Sequence, residues 1–188
     1  MTDRVENDNI PESDGAEPDS PLWRFACELY ASPGVAEHCL RLQDRQCADV
    51  NLLLVCCWAG LRGAYLPAEQ IERLDRLVSP WRKDVVKPLR AMRRQLKTAV
   101  GPVEPGLSPG VRETIKKAEL QAEKVELDLL LTALESVPAK NAREAERGGV
   151  IRRNLLHYCA LLQANTAEPD VRNAVETLVI EAIAVEPN

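Results

Sequence analysis

With 188 residues, 45% of them hydrophobic and 28% charged, the chain has ordinary globular composition and the length for one domain with a proper core. Aromatics are scarce at 4%, so Leu, Val, Ala and Ile must fill that core. The net charge of −5 is uneven: residues 1–20 hold seven acids against Arg4, a net of −6, which leaves the remainder at +1 and speaks against a strongly basic, nucleic-acid-binding body.

In chain order, residues 1–19 are acidic, hold Pro11, Pro18 and Gly15, and have almost no apolar anchor, so they read as a disordered tail. From Ser20 onward the apolar spacing is helical. Four Ser-Pro pairs (20–21, 32–33, 79–80 and 108–109) suggest helix starts, because serine accepts a bond from an orphan amide and proline lacks an N–H not needed there. Predicted helices cover about 21–31, 34–46 and 50–62, the last closed by Gly60 and Gly63. A fourth opens at Pro67, and a fifth runs from Pro80 to about Ala99 with a bend at Pro88. Residues 101–110 form a Pro/Gly linker. A long helix over 110–136 then presents Val111, Ile115, Ala118, Ala122, Val125 and Leu129 as a packing seam, and helices near 141–164 and 168–184 finish the chain.

The expected fold is all-α, a compact bundle of about eight helices behind the tail. Its parts are an N-terminal helical core over 20–100, the linker, and C-terminal helices over 111–188 that pack on the core. Leu52–Leu61, the longest apolar run, falls short of the roughly 20 residues that cross a bilayer, and no leader follows Met1. A cytoplasmic location is therefore expected. There the six cysteines (Cys27, Cys39, Cys47, Cys56, Cys57 and Cys159) pack as small hydrophobes. No C-x-x-C spacing exists and His38 and His157 are isolated, so neither a metal nor a cofactor is expected.

Two segments could carry a function. Asp49 is the natural cap of the apolar helix, with Asn51 exposed in its first turn, but with Asp44 they could also form a polar site. The predicted fifth helix carries Arg82, Lys83, Lys87, Arg90, Arg93, Arg94 and Lys97 against Asp84. Lys83, Lys87, Arg90, Arg94 and Lys97 share one basic face, with Val85, Val86, Leu89, Met92 and Leu96 on the other. The acidic tail is a candidate to fold back on that face. Trp23, Trp58 and Trp81 sit near helix ends as anchors. No catalytic constellation is legible.

The stretches "PLWRFACELYASPGVAEHCLRLQDRQCADVNLLLVCCWAG", "WRKDVVKPLRAMRRQLK" and "KKAELQAEKVE" resemble an uncharacterised proteobacterial family with members in Pseudomonas. The resemblance covers about residues 21–130. It rests on a Trp-x-Phe-Ala start, a Leu-Gln-Asp…Asp-Val-Asn-Leu-Leu-Leu core and a Trp-Arg…Pro-Leu-Arg helix. The sequence departs at Cys47, where many relatives have glycine. The resemblance implies a residue set rather than a reaction. Its polar and aromatic members Gln43, Asp44, Asp49, Asn51, Trp58, Trp81, Arg82 and Arg90 flank the apolar helix and begin the basic one. The first functional expectation is a non-enzymatic interaction or adaptor protein, with a protein partner or self-association, using the basic helix and the 110–136 helix. The second is a small-molecule-binding or enzymatic domain built on Asp44, Asp49, Asn51 and Arg82, which suits an anionic ligand. The third is nucleic-acid binding through 82–97.

Overall fold

Residues 19–137 and 144–185 are described by the structure, a computed structural model. They form α1 (Pro21–Ala31), α2 (Val35–Gln46), α3 (Val50–Leu61) and α4 (Ala68–Trp81), then a π-helical segment (Arg82–Val86) and α5 (Lys87–Gln95). A 3₁₀ turn (Pro105–Leu107) leads to α6 (Pro109–Leu134), α7 (Glu144–Leu161) and α8 (Pro169–Ala184). The fold is all-α: the described residues hold no strand, only an isolated bridge between Val100 and Val103. Among them no helix is long and apolar enough to cross a membrane.

Helix α3 is apolar on all sides because all sides are covered. Asn51 through Leu61 are all buried, and α1, α2, α6, α7 and α8 surround the helix. The contact with α7 is the most extensive, and Gly60 makes it possible. A Cβ at Gly60 would lie 2.6–2.7 Å from the Cγ1, Cα and N atoms of Ile151, so the two backbones meet where no side chain fits. Gly60 therefore lies within α3 instead of ending it. The turn after the helix belongs to Gly63, at φ 72°. Buried Asn154 of α7 fixes the following loop: its Oδ1 accepts from the Leu66 N–H at 2.8 Å, and its Nδ2 donates to the carbonyls of Cys56 and Ala64.

The structure corrects several sequence expectations. Ser20-Pro21 and Ser108-Pro109 do begin helices, and Ser20 Oγ accepts from the Trp23 N–H at 3.3 Å. Ser32, however, closes α1, while Gly34 precedes α2. Ser79-Pro80 lies inside a helix, because Pro80 is on the solvent side, where water can serve the carbonyl its ring leaves unpaired. Helix α4, the π segment and α5 thus run as one rod, with helical dihedrals through Trp81, Arg82, Val86 and Lys87. The described residues hold seven separate rods rather than eight. At Pro88 the path is not broken. Just before it, the Lys87 N–H reaches back five residues to the Arg82 carbonyl, the wider π register.

Helix α6 also departs from expectation. Its buried residues are Glu119, Ala122, Glu126, Leu127 and Leu130, whereas Val111, Val125 and Leu129 of the predicted seam are exposed. At 100° per residue the buried face is turned by roughly a quarter of the circumference. The amphipathic expectation for α5 fails too. It buries no residue, Met92 is half exposed, and only Val86, in the π segment, is buried nearby. Cys27 and Cys47 are exposed; the other four cysteines are buried, and burial pushes the Cys39 thiol up to about 12. Of the expected tail, residues 1–18 lie outside the described residues. Its last residue, Asp19, pairs with Lys124 of α6 at 2.6 Å, not with the basic helix.

Candidate functional site

Asp49 both caps and pairs. Its Oδ1 accepts from the Leu52 N–H at 3.1 Å, the N-cap bond expected from sequence. Its Oδ2 accepts from Arg82 Nη1 at 2.6 Å, and Arg82 Nη2 donates to Asp75 of α4, also at 2.6 Å. Behind them, the Asp49 N–H donates to the Tyr158 hydroxyl of α7 at 2.7 Å. Arg82 starts the π segment, so the widened register lies where this side chain enters the network. Burial works against its charge, but the two carboxylates outweigh burial and raise its pKa further. Burial, reinforced by the Asp49 charge, pushes the Tyr158 phenol far above its ordinary value.

Glu126 of α6 faces the same group and is entirely inaccessible, at 0% exposure. Neither carboxyl oxygen makes a hydrogen bond of ordinary geometry, although the Asp49 and Asn51 side chains lie close enough to act on it. Burial raises its pKa first and the Asp49 charge second, while Arg82 and Asn51 pull the other way. The result is a carboxyl pushed up to about 8, protonated at neutral pH. A buried acid of this kind is costly to the fold and clusters at functional sites.

Above these groups lies a cavity of about 840 Å³, bounded by α1, the start of α3, the π segment, α5 and α6, within the range of small-ligand pockets. Asp49, Asn51, Arg82, Glu126 and Tyr158 belong to its deep wall, and Trp23 and Tyr30 of α1 supply an apolar side. Asn51 is 8% exposed, which corrects the expectation that it faces solvent; its side chain lies against Glu126 of α6.

A second charged cluster ties α5 to α6 at the outer part of the cavity. Arg90 donates to Glu119, Glu123 and the Gln43 side chain, and Arg93 donates to Glu119. Burial alone would raise the Glu119 pKa, but the bonds from Arg93 and Arg90 win and lower it. At Glu123 burial prevails over Arg90, and the carboxyl is raised. Of the expected basic face, Lys83, Lys87, Arg90 and Arg94 do line the cavity, and Lys97 does not. Arg90 is tied to α6, and Arg94 lies 3.8 Å from Asp44. Lys83 and Lys87 are exposed and make no ion pair among the described residues.

The remaining candidates divide. Asp44 is exposed, and outside the cavity wall, because it sits on the outer face of α2. Trp58 is a core anchor, 5.2 Å from Phe25 between ring centroids, with the Arg62 guanidinium 5.4 Å from its ring centroid. Trp81 donates its Nε1–H to the Ala122 carbonyl at 2.9 Å and pins α4 to α6. Glu126, Tyr158, Asp75 and Glu119 were missed by sequence reasoning. Glu119, Ala122, Glu126 and Leu130 step by three and four, a legible stripe of which the expected seam held only Ala122.

The fold and the site together define an all-α helical protein with a cleft that is polar at its floor and cationic at its rim. Residues 21–130 match DUF2390, a family described as proteins of unknown function, and the chain belongs to that family. The matched segment contains Asp49, Asn51, Arg82 and Glu126 but not Tyr158. No curated protein and no solved structure matches the chain.

Proposed function

We propose that this protein binds a small polar molecule in the cleft between α1, the α4–α5 rod and α6. One observation carries the reading: a fully buried carboxyl, Glu126, stands without a hydrogen bond of ordinary geometry beside a ligand-sized cavity. A fold gains nothing from such a group, and replacing it with an apolar residue of similar volume would relieve the cost. The pairing of Asp49 and Asp75 with Arg82 supports a preorganised floor. A fragment screen read by amide NMR tests this. Hits are expected to shift the Asn51, Arg82 and Glu126 amides together; hits confined elsewhere, or none, would sink the reading.

The adaptor reading has one observation in its favour. Val111, Val125 and Leu129 leave an apolar stripe exposed on one side of α6. Sedimentation velocity on wild type and Val125→Asp checks it for self-association: a faster species lost in the variant supports the stripe as an interface, and identical monomeric profiles count against it.

A further inference from the structure

We propose that the cleft takes a short zwitterionic amine, an amino acid or close analogue, whose ammonium group meets Glu126 at the floor and whose anionic end meets Lys83 and Lys87 at the rim. This rests on the small-molecule reading of the cleft and adds the ligand's chemistry and orientation.

The floor argues for a cation. Asp49 and Asp75 share a single Arg82, so the network carries two negative charges against one positive before Glu126 is counted. An anion entering there would face a net negative charge and an arginine whose donors are already directed at carboxylates. An ammonium has three donors to place. The Glu126 oxygens make no hydrogen bond of ordinary geometry but are closed to water, so the ammonium reaches them by moving aside the Asn51 side chain, which acts on the same carboxyl and lies in the same wall. The aromatic side, Trp23 and Tyr30, suits the methylenes of a short chain or the charge itself.

The rim argues for the opposite charge at the ligand's other end. Lys83 and Lys87 lie one helical turn apart, both in the cavity wall and both exposed. The neighbouring arginines are held by Glu119, Glu123 and Asp44, so these lysines are the cations best able to receive a carboxylate or phosphonate. Acid floor and basic rim lie in one cavity, which fixes the ligand's direction.

Binding has a proton balance. The charged groups that act on Glu126 are Asp49 at the start of α3 and Arg82 on the π segment, with the Asn51 amide beside them; Asp75 on α4 and Tyr158 on α7 belong to the same network, and Glu123, Tyr30 and Arg90 line the same cavity. In the empty protein at neutral pH Glu126 holds its proton. When an ammonium binds, Glu126 ionises, that proton leaves to solvent, and an ion pair remains. Affinity is therefore expected to rise with pH, about tenfold per unit, until about pH 8.

Isothermal titration with glycine, β-alanine, γ-aminobutyrate and ε-aminocaproate, beside butylamine and butyrate, tests the proposal at about pH 6, 7 and 8. At least one zwitterion should bind about tenfold or more tighter than butylamine or butyrate, with proton release and the stated pH trend. Glu126→Gln should lose about tenfold or more of that affinity and the pH trend with it. If Glu126→Gln does not fold, the wild-type pH trend alone decides. Butyrate binding that weakens as pH rises would mean Glu126 donates to an acceptor, which overturns the amine while keeping the cleft. Silence from the whole panel overturns the amine; if the amide NMR hits also avoid the cleft, the small-molecule reading falls separately.

Discussion

Two helix–helix interfaces in this molecule solve the burial problem in opposite ways. Between α3 and α7, the backbones come so close at Gly60 that Ile151 occupies the space of a side chain, and the polar groups present, such as Asn154, are fully bonded. Between the α4–α5 rod and α6, the contact is made by Arg90, Arg93, Glu119 and Glu123, the cavity opens beside it, and Glu126 is left unbonded. The first interface follows the rules of a core: dense, dry and satisfied. The second breaks them, and breaks them around a space of ligand size. The contrast is in line with the binding role proposed for the cleft.

The largest expected effect falls on the dry seam. Gly60→Ala must push α3 and α7 apart, because the new methyl would meet backbone atoms of Ile151 that cannot rotate away. A loss of about 3 kcal/mol or more is expected in urea unfolding followed by circular dichroism. A loss below about 1 kcal/mol would show that the seam yields as easily as the cleft and would erase the contrast.

At the wet interface the expected effect is one of sign. Because the folded-state pKa of Glu126 is raised to about 8, well above the ordinary carboxyl value, the folded protein holds a proton that the unfolded chain gives up. Its contribution is fully present below about pH 4.3 and is lost as pH rises to about 8, at up to about 1.4 kcal/mol per pH unit. Glu126→Gln keeps the shape without the titration. It should therefore gain on wild type across that window, and the gain should level off above about pH 8. Melting curves of both proteins from about pH 5 to about pH 9 check it; a constant offset between them would mean that Glu126 does not titrate as a buried acid.

The smallest effect is local. Cys47 ends α2 in the left-handed region, at φ 56°, with its side chain exposed beside the cavity. Cys47→Gly should stabilise by about 0.5–1 kcal/mol, since glycine adopts that conformation without a Cβ clash. A drop in melting temperature would instead mean that the thiol contributes through the cavity wall. The resemblance noted in the sequence implies glycine at this position, and the left-handed backbone there suits one.

Much of the fold was legible because local rules act over a few residues. The ten-residue apolar run made a central helix, Asp49 capped it, and the apolar spacing of the last two helices points inward at Ile151, Leu155 and Tyr158 and at Val171, Val175, Leu178 and Ala182, all buried, while Leu162 of the same pattern is only partly so. Ser-Pro pairs were less dependable, since a proline on a solvent-facing side can sit inside a helix. Half of the candidate site was legible through Asp49, Asn51, Arg82 and Arg90. The other half was not, because the expected apolar seam of α6 did not include Glu119 or Glu126, and their burial is decided by what lies opposite.

From sequence alone came the all-α class, the helix starts capped by Ser20 and Asp49, the absence of a span-length apolar run, and the identity of the polar residues around α3. Each follows from propensity, periodicity or composition, which neighbouring residues settle among themselves. Only the tertiary structure decided which face of α6 turns inward, that α4 and α5 join through a π segment, and that Asp49 meets a tyrosine 109 residues away. It also decided that Glu126 is buried without a hydrogen bond of ordinary geometry. The physical reason is that a carboxyl group's charge, bonding and purpose depend on the atoms facing it, and those atoms are brought there by the packing of distant helices.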